Sequence, residues 1–226
     1  MSLFGVFQES LRQRRQTAEG QPLALYAAAL RRELIAVPPE RLAPRVAATL
    51  LDTTTLALSF WDEPVQARYP ELIWQTASGR PLDELSQALL LHHLHHSDGT
   101  RPTGRWIAFG ELPDGMFYSQ AFSGYTAAVL ARQFGDALEA FSRCAMQVPG
   151  CQGEGATVAA PMAWVFRVLP LVPLAVAAWP GDEDVPTSYR LLFDAAVPHH
   201  LSTEGCALLG SMLTRRLVRA RSAVTT

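Results

Sequence analysis

Trp164-Val165-Phe166-Arg167-Val168-Leu169-Pro170-Leu171-Val172-Pro173-Leu174-Ala175-Val176-Ala177-Ala178-Trp179 is the stretch that decides the fold. Its apolar runs predict two strands, around Trp164–Val168 and Leu174–Trp179. An acidic link, Gly181-Asp182-Glu183-Asp184, leads to a third strand at Tyr189–Phe193. No helical pattern separates the three, so the steady β-α-β alternation of a parallel sheet is missing. The expected class is α+β: a single domain with a mainly antiparallel sheet packed by helices. Arg167, Pro170 and Pro173 leave the stretch too short and too broken to span a bilayer.

Working outward, the N-terminal part reads as helical. Leu23, Tyr26, Ala27, Leu30 and Leu34 recur at helical spacing until Pro38-Pro39, and a second helix is expected from Pro39 to Leu51. The expected organisation is therefore one domain over residues 1–226, with a helical layer at 1–51 and an α+β core at 52–226. Leu56, Leu58 and Phe60 alternate like a half-buried strand, and Leu72-Ile73-Trp74 is its expected partner across Asp62-Glu63-Pro64. Pro81 opens a helix that carries Leu82, Leu85 and Leu89 into a histidine cluster. Arg105–Gly110 and Met116–Phe122 are expected to form an antiparallel hairpin through Pro113-Asp114-Gly115. Tyr125–Val148 is the longest helical pattern, with Gly135 inside it. Ser202 or Thr203 caps a last helix through Leu217.

Composition narrows the chemistry. The 226 residues are 49% apolar and 18% charged, enough for a sizeable core. A net charge of −2 gives no footprint for nucleic acid, and none is expected as a partner. All 19 basic residues are arginines, which excludes lysine Schiff-base chemistry and a P-loop lysine. The Arg215-Arg216…Arg219…Arg221 run reads as a solvated helix end, not a membrane contact. The start, Met1-Ser2-Leu3-Phe4, lacks a charged segment followed by an apolar one. Three cysteines without a C-x-x-C motif then fit reduced thiols, and a cytoplasmic location is expected.

All six histidines fall in two clusters, His92-His93-Leu94-His95-His96 and His199-His200. Histidine titrates near neutrality and is the commonest metal-ligating side chain. On a helix, His92 and His96 are four apart and His93 and His96 three apart, so each pair approaches a common point. His93 and His96 share the apolar sector of Leu82, Leu85 and Leu89, so both are expected to be buried and His95 exposed. On extended backbone His199 and His200 point apart, so only one enters a given site. Asp194, five residues upstream of His199, ends a strand and is a candidate ligand or imidazole partner. The acidic link is by default a solvated turn; if its acids are functional, Asp182 is the one expected to turn inward, toward an arginine, a histidine or a cation, with Gly181 permitting a close backbone approach.

The segment His95-His96-Ser97-Asp98-Gly99-Thr100-Arg101-Pro102-Thr103-Gly104-Arg105-Trp106-Ile107-Ala108-Phe109-Gly110-Glu111-Leu112-Pro113 resembles the bacterial and archaeal family known as domain of unknown function 3786. Leu169-Pro170…Pro173-Leu174…Trp179…Gly181-Asp182-Glu183-Asp184…Leu192-Phe193-Asp194 resembles its second signature, with Asp184-Val185 where the family shows Glu-Phe. The resemblance implies no established activity. Relatives with iron–sulfur segments or corrinoid-associated partners imply anaerobic cofactor metabolism, but the cysteines for such a cluster are missing here. In the Thr103-Gly104-Arg105-Trp106 element, Arg105 is a candidate anion ligand.

Three functional readings follow. The first is an accessory protein binding a divalent metal or metal-containing cofactor. Its candidate ligand-binding residues are His93, His96, Asp98, Arg105 and Asp182, and its candidate metal ligands are His92, His96, Asp194 and His199. The second is a small metal-dependent hydrolase with a metal-bound water as nucleophile. The third is an interaction protein without a ligand.

Overall fold

The computed structural model describes residues 21–154 and 158–224. Helices and antiparallel sheets build an α+β protein, and the described residues group into two compact units.

The first unit takes in described residues 21–101, with Leu169–Leu171 and His199–Leu208. Helix α1 (Gln21–Leu34) turns Leu23, Ala27, Leu30 and Leu34 inward, as their spacing predicts. The expected helix Pro39–Leu51 is cut short. Helix α2 covers only Pro39–Leu42, a 3₁₀ turn follows at Ala43–Val46, and Ala47 goes left-handed at φ 51°. The chain then enters β1 (Thr49–Leu50) of a four-stranded sheet with β2 (Thr55–Phe60), β3 (Glu63–Arg68) and β4 (Ile73–Thr76) in sequential order. Leu56, Leu58 and Phe60 are buried on alternate positions of β2. Its partner is β3, not the Leu72–Trp74 segment. Trp61 and Asp62 both take positive φ, the geometry of a tight two-residue hairpin, so Phe60 pairs with Glu63. The supposed break at Asp62-Glu63-Pro64 is a turn into a strand, and β4 pairs with β3.

Helix α3 (Glu84–His96) starts at Asp83, whose carboxylate accepts from the Ser86 N–H at 3.0 Å. Gln87 fixes the helix to β4, accepting from the Trp74 N–H at 2.9 Å and donating to the Trp74 carbonyl at 2.6 Å. Every residue from Ser86 to Leu94 is buried, so between exposed Glu84 and its last turn this helix has no solvent face.

The second unit holds Pro102–Val168, Val172–Pro198 and the chain beyond Leu209. Its sheet runs in the order β5 (Trp106–Ala108), β9 (Ser188–Asp194), β8 (Val172–Trp179), β7 (Met162–Leu169), β6 (Cys151–Glu154). The three strands predicted from the deciding stretch and Tyr189–Phe193 are adjacent at its centre. The predicted hairpin between Arg105–Gly110 and Met116–Phe122 does not form. β5 pairs instead with β9, Ile107 opposite Phe193. Asp114 is left-handed, and Gly115 lies so close to the Phe109 carbonyl that a Cβ would stand 2.0 Å from its oxygen. The chain therefore folds back into a 3₁₀ turn (Gly115–Tyr118) and helix α4 (Ser119–Tyr125). Met116 and Phe117 are left in solvent, and Phe122 stacks on Phe109 with centroids 4.0 Å apart.

The long pattern from Tyr125 to Val148 divides into α5 (Ala127–Phe134) and α6 (Leu138–Gln147), because Gly135 at φ 51° ends the first. Helix α7 (Thr203–Val224) closes the chain, and Ser202 Oγ accepts from the Gly205 N–H in its first turn. The three cysteines are free thiols, Cys144 and Cys206 buried.

Candidate functional site

The two histidine clusters meet in the first unit, where the end of α3 and the Ser97–Thr100 segment lie against His199–Ser202. The core of this meeting is buried. His93 is 0% exposed, its Nδ1 3.3 Å from the His200 carbonyl oxygen, and among the described residues its Nε2 has no hydrogen-bond partner. Burial drives its pKa down to about 3. His92 is buried beside it, and burial brings its pKa to about 4. Its Nε2 accepts from the Ser202 N–H at 3.2 Å, so the neutral ring carries its proton on Nδ1, 2.7 Å from the Tyr26 oxygen. Burial raises Tyr26 to about 12, keeping the phenol protonated. Gly205 makes room for this ring: a Cβ there would lie 3.2 Å from His92 Cδ2.

His200 is fully buried. Its Nδ1 is 2.7 Å from Ser97 Oγ and its Nε2 2.7 Å from the Thr100 carbonyl oxygen; the one Ser97 hydroxyl proton goes to the Arg45 carbonyl, so Ser97 Oγ faces Nδ1 as an acceptor.

At the surface of the same cluster, His199 Nδ1 lies 2.8 Å from Asp98 Oδ2, with the two side chains 53% and 55% exposed. Asp98 is held from several sides. Its Oδ1 accepts from the Thr100 N–H at 2.9 Å, and its own N–H donates to the His199 carbonyl at 3.2 Å. Hydrogen bonds from Thr100 and then from His199 keep its carboxyl well below the usual carboxylate range. An ionised carboxylate can only accept, so Nδ1 of neutral His199 carries the proton and Nε2 is the lone pair. This is a carboxylate-oriented imidazole on a partly open surface, the arrangement that fixes the tautomer and direction of a ligating histidine.

His199 and His200 face opposite ways, His199 exposed and His200 buried. The expected burial of His96 is corrected: it is exposed, stacked on His92 with centroids 5.4 Å apart, and His92 takes the buried place. Helix α3 is buried on every side from Ser86 to Leu94, so which histidines emerge depends on where the helix ends, not on phase. His95 is exposed as predicted and pairs with Glu33 of α1 at 2.7 Å.

Three sequence candidates lie in the second unit. Asp194 is buried and spends its carboxylate within the chain: Oδ1 accepts from the Thr103 N–H and hydroxyl and the Ala196 N–H, and Oδ2 from the Gly104 N–H at 2.7 Å. It binds the Thr103-Gly104-Arg105-Trp106 element to the end of β9. Arg105 is exposed, its N–H donating to Thr103 Oγ1 at 3.2 Å. The inward-pointing Asp182 is also corrected. It is exposed, and its Oδ1 accepts from the Asp184 and Val185 N–H groups, making the acidic link a self-capped turn. This unit also contains a cavity of about 250 Å³ lined by Phe109, Ser119, Phe122, Thr126 and Tyr189 among others, which includes none of the predicted site residues.

Among the described residues, no group of three or more His, Cys, Asp or Glu side chains converges as a metal-ion site requires, and no helix is long and apolar enough to cross a membrane. The profile of the family described as "Domain of unknown function (DUF3786)" matches residues 38–216. The chain belongs to that family. No curated protein and no solved structure matches it. The family match covers both histidine clusters, the Asp98–His199 pair and the Asp194 clamp, and the family's description assigns none of them a role.

Tyr26, Ser97 and Thr100 were not among the sequence candidates, and His200 was named in its cluster but not as a site residue. Ser97 adjoins Asp98 and Thr100 follows two residues after it, and that proximity was the available signal.

Proposed function

We propose that this protein is an accessory protein that presents one oriented imidazole, His199, to the metal of a metal-containing cofactor. The observation carrying the reading is the Asp98–His199 pair, 2.8 Å apart and half exposed. A bare metal ion needs three or four protein ligands, and the described residues converge on no such set. A metal already held in a macrocycle needs only one axial donor, commonly histidine. His199 has the required features: a fixed tautomer, a lone pair on Nε2, and access to solvent. Asp98 supplies the second-shell acceptor such a ligand uses. When bound, the cofactor would supply the redox or group-transfer chemistry, and the chain's part is to bind, orient and tune it. The metal-dependent hydrolase reading has less support, because Asp194 is committed to four hydrogen bonds within the chain and Asp182 to its own turn.

Titrating the protein into haemin and, separately, aquacobalamin tests this. The expected result is a shift of the macrocycle absorption bands with at least one of them, lost in His199→Ala and kept in His95→Ala. Spectra unchanged with both, or changed equally by the His199→Ala protein, would overturn the reading.

A further inference from the structure

We infer that buried His200 is a positioning residue for His199, acting through a closed ring of hydrogen bonds. The inference rests on His199 being the working imidazole of the proposed site. The ring can be followed atom by atom. His200 Nε2 lies 2.7 Å from the Thr100 carbonyl oxygen. The Thr100 N–H donates to Asp98 Oδ1 at 2.9 Å, and Asp98 Oδ2 is 2.8 Å from His199 Nδ1. His199 and His200 are covalent neighbours, so the path returns to its start. The Asp98 N–H to His199 carbonyl bond at 3.2 Å braces it across the middle.

Proton directions around the ring are fixed by its acceptors. A carbonyl oxygen only accepts, so His200 Nε2 carries a proton. Asp98 only accepts, so it draws one proton from the Thr100 N–H and one from His199 Nδ1. The buried end is anchored by Ser97 Oγ at 2.7 Å from His200 Nδ1 and by the His93 ring 5.9 Å away. His200 thus holds the Thr100 peptide, the Thr100 peptide aims the Asp98 carboxylate, and Asp98 selects the His199 tautomer. Asp98 and Thr100 stand on a partly exposed segment around Gly99, which takes φ +88°, so a tie to a buried anchor is what keeps their geometry single. Two adjacent histidines then have separate duties: one faces solvent and works, the other faces the core and aims it.

The side-chain ¹⁵N and ¹H spectrum of the full-length protein, labelled at histidine, tests this without any cofactor. In the unaltered protein His199 should show one tautomer, protonated at Nδ1, and His200 should show a slowly exchanging Nε2 proton. His200→Gln keeps a donor near the Nε2 position and should retain the single His199 tautomer. His200→Leu should let the two His199 nitrogen signals converge toward those of a free imidazole, and should weaken any macrocycle binding about tenfold. A His199 tautomer unchanged in a folded His200→Leu protein would overturn the inference. So would the absence of an Nε2 proton on His200 in the unaltered chain, a readout that holds even if His200→Leu does not fold. Failure of every macrocycle to bind, with the tautomer results as stated, would sink the cofactor reading and leave the positioning role standing.

Discussion

Asp98 Oδ2 and His199 Nδ1 are 2.8 Å apart although 101 residues separate them in the chain. The pair exists because two non-adjacent pieces of sequence are pinned beside each other by buried histidines. His92 accepts from the Ser202 N–H, and His93 meets the His200 carbonyl. The buried rings therefore serve the architecture, while His199 faces outward.

The buried histidines predict acid sensitivity. Burial brings His92 to about 4 and His93 to about 3, below the 6.5 of an unfolded histidine. The unfolded chain therefore binds more protons below pH 6.5, and stability is lost as pH falls toward the folded values. Each ring should contribute about 1.4 kcal/mol of loss per pH unit in that window. Calorimetric melting between pH 7.5 and 4.5 should show a falling Tm, with a shallower slope in His92→Gln. A flat profile would contradict the buried, neutral assignment.

Asp194→Asn should destabilise the second unit by about 3 kcal/mol. An amide replaces an oxygen that faces only donors, from Thr103, Gly104 and Ala196, so at least one N–H must lose its acceptor on the buried Asp194 side chain. Urea unfolding measures it, and a loss below about 0.5 kcal/mol would remove the clamp role.

Gly115→Ala tests why the predicted hairpin is absent. Its Cβ would lie 2.0 Å from the Phe109 carbonyl oxygen, so the turn must open. A loss of about 2 kcal/mol or more in thermal or urea unfolding is expected. An unaffected protein would mean that the Phe109–Gly115 approach does not hold the fold-back in place.

Much of the fold was legible because period and burial agree there. Leu23, Ala27, Leu30 and Leu34 line the inner side of α1, and Trp164–Val168, Leu174–Trp179 and Tyr189–Phe193 are the central strands. The errors share a physical cause. Trp61-Asp62 makes a tight turn from residues that usually avoid positive φ. Met116 and Phe117 are apolar yet exposed, so the hydrophobic signal pointed to a strand that is not there. His96 was misplaced because a helix buried all round has no sector to read. At the site, Asp98 and His199 were each named, but nothing local reports a contact between residues so far apart. The buried anchor, His200, differs from its exposed neighbour only in which side of the backbone it faces.

The central claim is tested most directly by the dissociation constant of Asp98→Asn for whichever macrocycle shifts with the unaltered protein, read by absorption titration. Asparagine keeps the shape of Asp98 but weakens the acceptor that fixes His199. The account predicts affinity reduced by about 10-fold to 100-fold, with His199→Ala abolishing the shift and the double variant no worse than His199→Ala alone. Asp98→Asn binding as tightly as the unaltered protein would contradict it.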